Sequence, residues 1–113
     1  MSIKGNVSIP LINLAAADNT FLNPSGDVTR EAVSTAVLYN TNASNRDIDV
    51  YVSPDLTSAS GDLIADYTLA NGDSVNIDEV IGQAFDQGEN IIVVASGAGV
   101  NLKGTKIEYT GDS

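Results

Sequence analysis

Short runs of alternating apolar and polar residues, each closed by turn chemistry, constrain this chain more than any other feature of its sequence. In Arg46 to Ser53, Ile48, Val50 and Val52 fall on one face while Asp47, Asp49 and Tyr51 fall on the other, as a half-buried strand requires. Ala32 to Asn40 alternates as well, Val33, Thr35, Val37 and Tyr39 against Ser34, Ala36 and Leu38. The polar cluster from Thr41 to Asn45 reads as a hairpin loop, so these two strands are expected to pair antiparallel. Leu63 to Leu69 alternates again, and Asn71-Gly72-Asp73 turns it into Ser74 to Ile77 as a second expected hairpin.

Ile91 to Ser96 is apolar on both faces, which suits a central strand, and Gly97-Ala98-Gly99 separates it from a last strand, Val100 to Tyr109. That strand changes phase, with Val100 and Leu102 at even positions and Ile107 and Tyr109 at odd ones. A bulge near Gly104 would return both pairs to one face. Ile77, Val80, Ile81, Ala84 and Phe85 follow a helical spacing that Gly82 weakens, so at most two helical turns are expected there. Seven or eight short strands at such turn spacing predict an all-β chain, an antiparallel β-sandwich of jelly-roll type. Its expected core includes Ile48, Val50, Val52, Ile91 or Ile92, and Val93, and Tyr39 and Phe85 read as inward.

The first residues differ. Val7 to Leu14 is apolar, but Pro10 cannot donate to a ladder, so residues 1–17 are expected to form an edge strand or an extended arm ahead of a domain over 18–113. Val7, Ile9, Pro10, Leu11, Ile12 and Leu14 are the candidate interaction residues of that arm. At 113 residues the chain is one domain with one core.

Composition removes many activities. The chain has no Cys and no His, so disulfides, thiol nucleophiles, Cys/His zinc sites and imidazole-based triads are out. A net charge of −10 has the wrong sign for phosphates or anionic lipid, so neither nucleic acid nor a membrane is an expected partner. No run approaches the ~20 apolar residues of a membrane-spanning helix. Met1 to Asn6 is followed by no apolar signal region, so synthesis in a cytosol is expected.

The charge is unevenly spread. Between Asp47 and Leu102 stand ten acids (Asp47, Asp49, Asp55, Asp62, Asp66, Asp73, Asp78, Glu79, Asp86 and Glu89) and no Lys or Arg, whereas the flanking segments balance. One part of the fold should therefore be neutral and another strongly acidic. Around Asn71-Gly72 the carboxylates of a calcium loop are replaced by Tyr67 and Leu69, so no metal is expected. Gly99 to Lys106 imitates a phosphate loop, but its last residues are in the wrong order and it opens no helix. Asp47 and Asp49, roughly 7 Å apart on one strand face, have glycosidase-like chemistry but no aromatic sugar platform; charged residues belong on that face of a strand in any case. Neither catalysis nor a cofactor is expected.

Taken in order, Asp18-Asn19-Thr20-Phe21-Leu22-Asn23-Pro24-Ser25-Gly26, Leu38-Tyr39-Asn40-Thr41-Asn42, Asp49-Val50-Tyr51-Val52, Leu69-Ala70-Asn71-Gly72-Asp73-Ser74 and Gln87-Gly88-Glu89-Asn90 running into Ile91 to Ser96 form a recognisable series. Over residues 18 to 110 it resembles small β-sandwich virion proteins of tailed bacteriophages. It departs from their pattern in lacking Pro between Leu69 and Gly72 and in carrying Glu89 where Asp is more usual. The resemblance implies a structural virion protein that decorates or cements the capsid exterior, a homo-oligomer, expected as a trimer, bound to the major capsid protein. Its alternatives are a tail, neck or host-adhesion module, or a cellular binding module such as a small carbohydrate-binding domain. The last would need exposed aromatics, and the chain has only four Tyr and two Phe.

Overall fold

The computed structural model describes residues 2–111. Nine strands run in the order β1 (Ser2–Leu14), β2 (Asn19–Leu22), β3 (Val28–Asn40), β4 (Arg46–Ser53), β5 (Asp62–Leu69), β6 (Ser74–Asn76), β7 (Ala84–Asp86), β8 (Asn90–Ala95) and β9 (Val100–Thr110). One sheet has the order β1-β9-β3-β6, with β7 also on β3, and the other the order β2-β8-β4-β5. Every pairing is antiparallel. With β6 and β7 taken as one interrupted strand, this is the two-sheet arrangement of a jelly roll.

That topology corrects both expected hairpins. A jelly roll sends most successive strands to opposite sheets, so β3 and β4 do not pair, and neither do β5 and β6. The hairpin that does form joins β4 to β5, with Asp49 opposite Asp66 and Val50 opposite Ala65. The Thr41 to Asn45 cluster is instead a crossover, and buried Asn40 organises it. Its Nδ2 donates to the carbonyls of Ser44 (3.0 Å) and Leu69 (2.9 Å), and its Oδ1 accepts from the Asn42 amide (2.9 Å). Asn71 ties the β5–β6 crossover to the first by donating to the Asn42 carbonyl at 2.9 Å. Removing the Asn40 amide strands the Leu69 carbonyl out of water and leaves the partly buried Asn42 and Ser44 backbone groups without their partner. We expect Asn40→Ala to cost about 2 kcal/mol in urea titration, with a drop under half a kcal/mol telling against the crossover bonds.

The core lies between the sheets. Ile9, Leu14, Val33, Ala36, Leu38, Val100 and Leu102 face Phe21, Leu22, Ile48, Val50, Leu69, Ile91 and Val93, all of them buried. Of the expected core, Ile48, Val50, Ile91, Ile92 and Val93 are fully buried, and Val52 packs partly buried against it. Tyr39 is a correction: it is 44% exposed while Leu38 is buried. The reason is an extra residue in β3, where Val33 and Thr35 face the adjacent Lys106 and Thr105. Glu31 and Val33 point inward before this bulge, and Ala36, Leu38 and Asn40 after it.

The phase change expected at Gly104 is therefore absorbed in the partners of β9, by this bulge in β3 and by one between Ile9 and Ile12 of β1. Ile107 and Tyr109 are only half-buried, and Lys106 takes the inward position instead. The expected helix is likewise one turn. Val80 and Ile81 both donate to the Ile77 carbonyl, and then Gly82, at φ +80°, donates back to Val33 of β3. Ile77 and Val80 are buried, so the helical spacing marked a turn that seals the core between β6 and β7.

Candidate functional site

The ten acids do not gather on one sheet: Asp47, Asp49, Asp62 and Asp66 are on β4 and β5, whereas Asp86 is on β7 of the other sheet and Asp73, Asp78, Glu79 and Glu89 lie in the loops around β6 and β7. Asp47, Asp49 and Asp66 stand on the outer face of the β2-β8-β4-β5 sheet, where with Tyr67 and Thr68 they line an open depression of about 350 Å³. Arg30, Lys103 and Lys106 lie in the other sheet, on β3 and β9, while Arg46 begins β4 itself. In the depression Asp47 accepts a 2.7 Å hydrogen bond from Thr68. Tyr67 donates its hydroxyl to Glu79, and burial first, then that carboxylate, pushes the phenol well above its ordinary value. Among the described residues no group of three Asp or Glu is placed to hold a metal ion.

β1 is the outermost strand of its sheet and pairs with β9 along its whole length. Of the candidate interaction residues, Ile9 and Leu14 are buried in this chain's own core, Ile12 packs against it and Val7 is half-buried. Pro10 and Leu11 remain exposed, Leu11 at 56%. Ile3, outside the predicted set, is 64% exposed on the same strand. On the other sheet the outermost long strand is β5, and it exposes Leu63 at 53%. The two remaining edges are blunted, since β2 has four residues and β6 and β7 are separated by the Ile77 to Gln83 turn.

The loop from β4 to β5 is built on Asp55. Its carboxylate accepts from the hydroxyls of Ser60 (2.8 Å), Thr57 (2.9 Å) and Ser53 (3.0 Å), which hold its pKa below the ordinary aspartate range. At its tip Leu56 has φ +66°, the left-handed conformation, and is 40% exposed. A leucine there costs about 1–2 kcal/mol of backbone energy that glycine would not. No sequence signal marked Leu56, because a left-handed conformation is read from Gly or Asn and neither is present.

No protein-family model matches the sequence, and no curated protein is significantly similar to it. Among solved structures the fold is similar to that of a Bacillus endospore appendage protein, described as belonging to a family of disulfide-linked pili. The TM-score is 0.58 and the identity 16%, covering 98% of this chain and 90% of that one. A weaker likeness to PirA, with TM-score 0.42 and 13% identity over 94% of this chain and 91% of that one, falls short of a shared fold. The first of these agrees with the all-β sandwich architecture.

Proposed function

We propose that this chain is a non-enzymatic structural subunit that works as a homo-oligomer in an assembly on a cell or virion surface. The observation that carries it is a jelly roll, complete in its own core, that keeps two long sheet edges carrying Ile3, Leu11 and Leu63 in solvent. Unpaired strand edges are templates for another chain. β1 lies against β2 and β5 passes directly to β6, so the two edges are on opposite sides of the sandwich. Contact between unlike edges is heterologous, closing into a ring such as a trimer or propagating as a filament. The likeness to an appendage protein supports the filament. With no Cys in the chain, such copies would be joined without disulfides.

The test is sedimentation and electron microscopy of the purified protein at micromolar concentration. We expect assemblies that depend weakly on salt, since apolar and backbone contacts carry them and exposed charges are screened beyond ~8 Å. Ile3→Lys with Leu11→Lys should stop assembly from one edge, and Leu63→Lys from the other. A mixture of the two variants should form pairs that grow no further. Leu56→Gly should relieve about 1 kcal/mol of backbone strain, and weaker assembly in that variant would show that the leucine is kept for contact. Wild-type protein that stays monomeric would sink the proposal.

A second reading, decoration of a bacteriophage capsid, rests on the turn-chemistry resemblance over residues 18 to 110 and on the uneven spread of charge along the sequence. There the acidic sheet would face solvent while the charge-balanced segments contact the major capsid protein. Cosedimentation with capsids, lost steeply with salt or on changing Asp62 and Asp66 of β5 and Asp73 of the turn after it to Asn, would mean instead that the acidic β4–β5 face and its adjoining turn are the interface.

A further inference from the structure

Beyond assembly, one cluster on the inner face of the longer sheet has the parts of a covalent reaction. Glu31 of β3 is 98% buried by side chain and backbone together, being 2% exposed, and Lys106 Nζ donates to its Oε2. Among the described residues Glu31 Oε1 has no partner. Glu108, directly opposite Glu31 on β9, places its Oε2 3.3 Å from the same Nζ. The Lys106 side chain is 17% exposed and that of Glu108 16%, so all three groups meet largely out of water. The Arg30–Asp86 pair differs in both respects: each side chain is about half exposed, and a guanidinium is not a nucleophile.

We propose that Lys106 and Glu31 condense into an intramolecular isopeptide bond, with Glu108 carrying the proton. Burial makes the ionised pair costly, so the ammonium proton can pass to the Glu31 carboxylate and leave a neutral amine beside a neutral acid. Desolvation of Glu31 raises its carboxyl above the ordinary range; Lys106 opposes this and Glu108 adds to it. The Nζ lone pair then attacks Glu31 Cδ, forming the N–C bond. Glu108 accepts the proton shed by the nitrogen and delivers it to a hydroxyl on Cδ, and the C–O bond breaks as water leaves. One ammonium and one carboxylate become one amide and one water, with no oxidant, cofactor or energy donor. The product replaces a buried ion pair by a neutral group and ties β3 to β9 across 75 residues of chain.

Intact-mass spectrometry of the full chain under denaturing conditions tests this. The mass should be one water below that of the sequence. Trypsin should yield a branched species joining residues 31–46 to 104–113, uncut after Lys106. Glu31→Gln should lose ammonia rather than water and converge on the same product mass, which a purely structural ion pair would not do. Lys106→Arg, which keeps the positive charge, should retain its full mass and give only linear peptides. Glu108→Gln should fold and react far more slowly, appearing as a mixture that matures over time. Unmodified mass in folded wild-type protein after prolonged incubation, or a water loss mapping to an aspartyl residue, would overturn the assignment.

Discussion

The variant Lys106→Met will be about 3–5 kcal/mol less stable at neutral pH than one in which Glu31 is also made apolar, the usual penalty for leaving a buried charge without its partner. In the variant, Glu31 keeps its buried position on β3 but loses the group that donates to Oε2, and among the described residues Oε1 is already without a partner. The penalty will depend on pH. Burial already raises the Glu31 carboxyl in the folded state, and losing Lys106 removes the main opposing influence. A folded-state value above the unfolded one means that the folded protein binds the extra proton. Stability is therefore retained below the ordinary glutamate value of about 4.3 and falls as pH rises through the elevated one. Urea titrations of the variant near pH 4 and near pH 7 should show the difference directly. The paired change Glu31→Leu with Lys106→Met should recover most of the loss and flatten the pH slope, because no charge is left to solvate. Since neither variant retains Lys106, this comparison is independent of any covalent bond. Equal losses at both pH values, with no recovery in the double variant, would mean that Glu31 is solvated.

Gly104→Ala is expected to cost about 3 kcal/mol, the upper end for overpacking a core. A Cβ at that position would lie 2.5 Å from the Thr35 carbonyl oxygen and 2.8 Å from Cζ of Phe21. The ring can shift, but the carbonyl belongs to β3, paired through Ala36 with Gly104 itself. Phe21→Leu in the Gly104→Ala background should therefore return only part of the loss. Thermal unfolding of the two variants measures this, and a Gly104→Ala protein as stable as the wild type would refute the close approach.

Gly104 illustrates how a residue can be read correctly for one reason and used for another. The phase change along β9 points to a bulge at this glycine, whereas the structure uses it for a close approach of the β3 backbone. The register shifts themselves lie in β1 and β3. The helical spacing from Ile77 to Phe85 was real too, yet Gly82 turns the chain after one turn and Phe85 reaches the core from β7. At the candidate edges, Leu11 and Pro10 were legible because an apolar run with an internal proline is an edge signature. Leu63 was placed on a strand, but nothing local distinguishes an edge strand from a central one.

Alternation and turn chemistry along the sequence determined that the chain is all β, where most strands start and stop, and that Ile48, Val50 and Val93 are interior. Each depends on the period of side chains along a single strand, a local property. The absence of Cys and His and the confinement of net charge to Asp47 through Leu102 were equally fixed by the order of residues. Which strands pair was decided only in three dimensions, because antiparallel partners are chosen by the joint burial of two sheet faces, and a jelly roll places most successive strands in opposite sheets. That choice put Leu38 inside and Tyr39 outside. It also brought Glu31, Lys106 and Glu108 together from the two ends of the chain, where no spacing along the sequence could have shown them as neighbours.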